Sequence, residues 1–223
     1  MYNLHCHSLL SDGVLLPSEV AARYLAAGYK GIAITDHADY SNIEVVIKGI
    51  IEFVKYWPVH SKIKILPGIE LTHVPPEQFK PLAKYARENG IKIIVAHGET
   101  IVEPVAIGTN HAALEADIDI LAHPGLISDD DIRLAKLRNI FLEITARKGH
   151  RDTNTHIVER VRQLDADMVL NTDGHAPEDI ISPEKLISFG INAGLSIEEV
   201  EKINYKVESF FKRLLTVGKK EII

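Results

Sequence analysis

Cysteine is almost missing from this chain: Cys6 is the single instance in 223 residues. An internal disulfide is excluded, as is any zinc module built on thiolates, and such usage fits a reducing cytoplasm. Positive charge is not in surplus either. The 25 Lys and Arg stand against 31 Asp and Glu, a formal −6, which argues against a role coating nucleic acid, whose phosphates select basic faces. No apolar stretch reaches the roughly 18–20 residues of a membrane span. No basic segment leads into an apolar run at the N-terminus, so no signal peptide is expected. Low-complexity tracts and Gly/Ser linkers are also missing. What is there, 46% hydrophobic and 25% charged, is the composition of a soluble protein. The length suits one α/β barrel domain over residues 1–223.

Seven short β-rich runs recur: "YNLHCH", "YKGIAITDH", "IKILPGIEL", "IKIIVAH", "DIDILAH", "NIFLEIT" and "ADMVLNTDGH". Amphipathic stretches separate them, at about Pro17–Gly28, Ile43–Trp57, Pro76–Asn89, Thr109–Ala116, Asp129–Leu137 and Thr153–Leu164. Pro17 and the Ser182–Pro183 pair are helix starts. Ser196 with Glu199 reads as a capping box, and Gly28, Gly90 and Gly194 as helix stops. A last helix is predicted from Ile197 to about Val217, with Phe210, Phe211, Leu214 and Leu215 packed on the rest of the fold or used in a dimer. Strands alternating with helices, and apolar on both faces, predict a parallel sheet covered on both sides. It closes as a seven-stranded (β/α) barrel or lies open as a doubly wound sheet.

The histidines favour the barrel. Six of eleven end a predicted strand: His5, His7, His37, His97, His123 and His175. Asp36, Glu70, Glu143 and Asp173 end strands too. His7, Asp36, Glu70, His97, His123, Glu143 and Asp173 follow one another at 29, 34, 27, 26, 20 and 30 residues, one polar group per βα unit. Only ring closure makes such groups converge, at the C-terminal strand ends where α/β barrels build their sites. Side chains alternate along a strand, so His5 and His7 share a face and Cys6 packs behind them. Asp12 sits in the following turn, where Gly13 lets the chain fold back. Imidazoles with carboxylates and no thiolate suit Zn²⁺, Mn²⁺ or Fe²⁺. His5, His7, Asp12, His37, Glu70, His97, His123, Asp173 and His175 are nine candidate ligands. One ion usually takes about four, so two or three ions fit better. Asp36 and Glu143 are expected to orient ligand histidines. His73 is a candidate to reach the mouth, whereas His60, His111 and His156 read as surface residues.

These residues resemble the polymerase-and-histidinol-phosphatase (PHP) superfamily of metal-dependent phosphoesterases, in the order "HCHSLLSDG", "ITDH", "PGIE", "VAHGE", "LAHPG" and "NTDGH" over nearly the whole chain. The resemblance implies a distorted seven-stranded TIM-like barrel with a two- or three-metal site at its mouth. By it, His5, His7, Glu70 and Asp173 would hold one ion. Glu70 would bridge to a second on His97 and His123, and Asp12, His37 and His175 would hold a third. Glu70, Asp173 and His175 would carry catalysis. A bridging water with its pKa lowered toward 7 would attack phosphorus as hydroxide. Three divalent ions against Asp12, Glu70 and Asp173 leave a charge of about +3, which attracts a phosphate monoester.

Arg147, Lys148, His150 and Arg151 follow the sixth strand, and Asn154 begins the next helix. With His73, the rim residues Arg147, His150, Arg151 and Asn154 are candidates to bind the substrate's anion; a solvated basic loop is the alternative. The stretch "EITARKGHRDTN" resembles a compact histidinol-phosphatase-like subgroup, which implies a small phosphorylated substrate, with histidinol phosphate as one case. The "SDG" turn resembles members acting on nucleotides and nucleic acids, which leaves a nucleotide phosphatase or 3′–5′ exonuclease as the alternative. A metal-free barrel subunit of a ribonucleoprotein is a third reading. Elemental analysis after metal-replete purification is expected to find two or three divalent ions per chain, and a finding of none overturns the ligand assignment.

Overall fold

The structure is a computed structural model and describes residues 1–216. Seven parallel strands stand in chain order: β1 (Tyr2–Asn3), β2 (Gly31–Ala38), β3 (Lys64–Leu71), β4 (Ile93–His97), β5 (Ile120–Ala122), β6 (Phe141–Thr145) and β7 (Met168–Asn171). Helices α1 (Pro17–Ala26), α2 (Ile43–Tyr56), α3 (Phe79–Glu88), α4 (Thr109–Leu114), α5 (Asp129–Arg138) and α6 (Asn154–Leu164) connect successive strands. After β7 come α7 (Pro183–Asn192) and α8 (Ile197–Thr216). The expected end of the last helix at Val217 lies outside the described residues.

Local chemistry accounts for the element boundaries. Pro17 and Pro183 occupy first-turn positions, where a missing N–H costs nothing. Ser128 accepts the Asp131 backbone N–H at 3.2 Å, and three aspartates follow in the first turn of α5. Ser196 and Glu199 form the reciprocal box, with Ser196 N–H donating to the Glu199 carboxylate at 2.8 Å and Glu199 N–H to the Ser196 hydroxyl at 3.2 Å. The strands are buried on both faces, with Ile32, Ile34, Ile69, Ile94 and Leu121 fully enclosed, as covered parallel strands require. Val200, Ile203, Val207 and Phe211 bury one face of α8, and the Phe211 ring lies 4.8 Å from Tyr2 on β1. Phe210 packs on Phe141, and Leu214 and Leu215 also lean on the core.

The seam between β1 and β7 closes the barrel nearly all the way. Regular pairing there shrinks to one bridge, Cys6 to Gly174, with His7 N–H to the Gly174 carbonyl at 2.9 Å and Asp173 N–H to the His5 carbonyl at 3.1 Å. Below it two amide side chains replace the ladder. Asn171 Oδ1 accepts Leu4 N–H at 2.7 Å, and Asn3 Oδ1 accepts Thr172 N–H at 2.8 Å. Both asparagines are fully buried. Truncating Asn171 therefore orphans a buried N–H, at a cost of roughly 1–3 kcal/mol per unsatisfied group. Urea unfolding of Asn171→Ala is expected to show a loss of at least that size, and an unchanged midpoint overturns the account of the seam.

Candidate metal centre

Strand ends and their loops deliver the polar cluster. His5 and His7 leave the chain after β1 on one face, His37 is in β2, Glu70 in β3 and His97 ends β4. His123 follows β5, and Asp173 and His175 follow β7. His73, His123 and Asp173 hold positive φ, at 53°, 30° and 50°. Left-handed backbone at non-glycine residues is costly and persists only where the surroundings impose it. Gly13 lets the Asp12 loop press on the strand: a Cβ there would stand 2.7 Å from the His7 carbonyl carbon.

Proton accounting explains the cluster. His5 Nδ1 donates to Glu143 at 2.7 Å. His175 Nδ1 faces the Asp173 carbonyl at 3.0 Å and His97 Nδ1 the Gly98 carbonyl at 3.0 Å. A carbonyl or carboxylate only accepts, so these Nδ1 atoms carry a proton, and each ring, when neutral, turns a bare Nε2 inward. His37 Nδ1 lies 2.6 Å from the Thr72 hydroxyl and 2.8 Å from Glu70, so its Nε2 becomes the bare atom once the ring is neutral.

The bare atoms face one another. His37 Nε2 and His175 Nε2 are 3.4 Å apart, and Asp12 Oδ1 is 3.4 Å from each. His5 Nε2 lies 3.4 Å from Glu70 Oε2 and 3.5 Å from Asp173 Oδ1; His7 Nε2 lies 3.6 and 3.2 Å from the same atoms. His123 Nε2 is 3.6 Å from Glu70 Oε1. Buried and without a well-formed hydrogen bond are His5 Nε2, both nitrogens of His7, both oxygens of Glu70 and His123 Nδ1, the 2.8 Å approach of His37 Nδ1 to Glu70 Oε2 being an ion-pair contact. Buried lone pairs left facing lone pairs are strongly unfavourable. A cation between them removes the cost. Tetrahedral bonds of about 2.0–2.2 Å space ligand atoms about 3.3–3.6 Å apart, close to the separations found. The donor set therefore fits divalent cations.

The same burial shifts the acids and bases. Burial pushes Asp173 up to about 7, with Glu70 and Glu143 adding and His5 opposing. His37 rises to about 10: burial resists, but Glu70 and Asp12 outweigh it. Burial and then the Arg147 guanidinium lower His175 to about 4. His7 and His123 fall well below the usual imidazole range through burial and neighbouring imidazoles.

The structure brings all nine candidate ligands to this mouth, in sets such as His7, Asp12, His37 and His175; His5, His7 and Glu70; and Glu70, His97 and His123. Glu143 touches His5, and its other oxygen accepts the His123 N–H at 3.1 Å. Asp36 differs from expectation. It points away from every imidazole and accepts from Ser8 N–H, Ser8 Oγ and Ser11 Oγ at 2.7, 2.7 and 2.8 Å, so it holds the loop carrying Asp12. Arg147, His150 and His73 line the cavity of about 260 Å³ over the cluster. Arg147 is steadied by Asp179 at 3.0 Å. Arg151 and Asn154 are not there. Arg151 turns outward and stacks over Phe189 at 4.9 Å. Asn154 spends its amide on both backbone groups of Thr145, at 2.8 and 3.3 Å, as an N-terminal residue of α6 next to β6 can. Lys148 is exposed and His156 is half-buried against the Ile127 carbonyl. Cys6 packs behind the site with its thiol on the Ala33 carbonyl.

Glu103 was not legible. It reaches the cavity from the loop after β4, with its carboxylate 3.0 Å from His97 Nε2 and 2.9 Å from His73 Nε2. A glutamate six residues beyond a strand end carries no periodic signal. A larger groove of about 530 Å³ beside α6, β7 and α8 is walled by charges that already pair, Arg162 with Glu199 and Lys206 with Asp167.

The PHP domain family model matches residues 3–100. An uncharacterised protein of Methanocaldococcus jannaschii is 43% identical over 205 residues, 90% of this chain and 93% of that protein. The DNA polymerase/3′–5′ exonuclease PolX of Bacillus subtilis is 28% identical over 78% of this chain but 34% of its own length. Ribonuclease P protein component 3 of Methanosarcina mazei is 26% identical over 87% of this chain and 81% of its own. Among solved structures, a chain of archaeal ribonuclease P with mature tRNA superposes with TM-score 0.70 at 18% identity, covering 100% of this chain and 95% of that one. A Listeria monocytogenes protein assigned as a candidate histidinol phosphatase gives TM-score 0.60 at 13% identity, covering 81% and 97%. Both share the barrel fold.

Metal binding at this cluster must displace protons, so it is pH-dependent at about one log unit of affinity per pH unit for each proton released. Asp173 binds a proton below about 7 and His37 below about 10. Titration of the metal-free protein with Zn²⁺ or Mn²⁺ is expected to show affinity rising at least tenfold from pH 6 to pH 8. A flat profile overturns the placement of an ion at these groups.

Proposed function

Because the chain belongs to the PHP domain family, we propose that it is a metal-dependent phosphoesterase, a single-domain enzyme acting on a small phosphate monoester. The observation that carries this reading is the convergence of bare, buried imidazole nitrogens and carboxylate oxygens at ligand-like spacing. His5, His7, Glu70 and Asp173 would hold one divalent ion, Glu70 with His97 and His123 a second, and Asp12 with His37 and His175 a third. Such ions supply Lewis acidity at phosphate oxygens and lower the pKa of water toward 7.

The chain's own groups supply the rest. Glu143 keeps His5 in the Nδ1–H form and aims it, while its second oxygen pins the strained His123 backbone. Arg147, held by Asp179 at the mouth, offers a charge-assisted donor to a non-bridging oxygen. His150, turned into the cavity with Nδ1 on the Thr100 hydroxyl at 2.8 Å, presents Nε2 toward the same space. Neither a serine triad nor a reactive cysteine takes part: Cys6 is buried with its thiol raised by burial.

A second reading is favoured by the identity with ribonuclease P protein component 3 over most of both chains: a barrel subunit of a ribonucleoprotein. The ligand set such a role does not need supports the enzyme instead. A phosphomonoester panel including histidinol phosphate and nucleotides, run beside a single-stranded oligonucleotide, tests both. Turnover of a monoester is expected, lost by orders of magnitude in Glu70→Gln. In Arg147→Ala a KM increase matching about 1–3 kcal/mol is expected, with metal content unchanged. Hydrolysis of the oligonucleotide alone moves the assignment to a nuclease, and no hydrolysis by metal-loaded protein that retains RNA favours the second reading.

A further inference from the structure

Glu103 is the cavity carboxylate that the nine-ligand scheme leaves without a role. Its Oε2 is 2.9 Å from His73 Nε2 and 3.0 Å from His97 Nε2, and its Oε1 is 3.4 Å from His150 Nε2. His97 is buried, and its Nδ1 faces the Gly98 carbonyl at 3.0 Å. The neutral ring therefore turns a lone pair, not a proton, toward a carboxylate that has only lone pairs to offer. Something positive must stand between them: an extra proton or a metal ion. The rings of His73 and His97 lie 4.6 Å apart, and the three ligand atoms of His73, His97 and Glu103 fall within 4.8 Å of one another. His73 is also held at φ 53°, an unfavourable conformation for a non-glycine residue.

We propose that Glu103 and His73 are metal-ligating residues, which with His97 form an outer divalent-cation site at the rim of the mouth. This rests on the metal reading of the inner cluster. His97 Nε2 offers one lone pair and serves one ion at a time. An ion on His97 is drawn inward by Glu70 and His123 or outward by Glu103 and His73, so the loop after β4 competes with the deep site for it. The outer position is reached first from solvent, as Glu103 and His73 are each about 40% exposed while Glu70 is fully enclosed. An arriving ion thus meets the outer set before the inner one.

Calorimetric titration of metal-free protein with Zn²⁺ or Mn²⁺ at pH 6 and pH 8 tests this, comparing wild type with Glu103→Gln and His73→Ala. Ligation predicts that both variants lose at least tenfold in affinity for the weakest-held ion, or lose that binding event. If Glu103 is instead only the counter-ion of a protonated His97, its removal releases the proton. Affinity of Glu103→Gln then rises at pH 6, which overturns the proposal. Wild-type binding that is unchanged in both variants also overturns it while leaving the inner cluster intact. Failure of the wild type to bind any ion is a separate outcome, which overturns the metal reading itself together with this proposal.

Discussion

Asn171 links the two halves of this molecule's problem. Its Oδ1 takes the Leu4 N–H across the β1–β7 seam, and its Nδ2 donates to Glu143 Oε1 at 2.9 Å. The same Glu143 oxygen holds His5 Nδ1. One side chain thus helps to close the barrel and orients a carboxylate that fixes an imidazole at the mouth. Ring closure and site geometry are consequently not separable: without the seam, His5 and His7 would not face Asp173 and His175. Seam contacts are non-local, 167 residues apart for Leu4 and Asn171, so they form only once the intervening strands are in place.

The mouth is built at the expense of stability. Burying Glu70 and the imidazoles of His5, His7 and His123 with unpaired polar atoms is unfavourable for the protein alone. Cations held at these groups would offset that cost, so that a metal-bound state would gain stability. The left-handed backbone at His123 and Asp173 fits the same pattern, in which strain gathers where function fixes geometry. The supporting layer works through polar contacts of high order: Glu143 serves three partners, and Asp36 fixes the Asp12 loop by three hydrogen bonds to two serines. Sites supported in this way hold their geometry within narrow limits.

Much of this was legible because barrels convert order along the chain into position around a ring. Strand runs and helix signals located every connection, and Ser182, Ser196 and Glu199 behave as capping chemistry dictates. The one-per-unit spacing of polar groups pointed to convergence at the mouth, although Asp36, one of the seven, faces Ser8 and Ser11 instead. Loops escaped this logic. Arg151 and Asn154 lie within eleven residues of Glu143, yet a turn after Gly149, at φ 87°, sends one toward Phe189 and the other back onto β6. Strand alternation predicts that Asp36 turns away from His37, as it does, but the partners it meets on that side are Ser8 and Ser11 rather than a ligand histidine.

The sequence by itself determined the parallel α/β class, the strand ends as the place where polar groups gather, and a donor set of imidazole and carboxylate without thiolate, because those depend on residue type and period alone. The tertiary structure decided which lone pairs meet. Tautomers follow from contacts with Gly98, Glu143 and the Asp173 carbonyl, and Glu103 enters from a loop whose path no period encodes. Distances of 3 to 4 Å between groups more than a hundred residues apart exist only after closure of the ring, and the ligand-like spacing of the mouth depends on them.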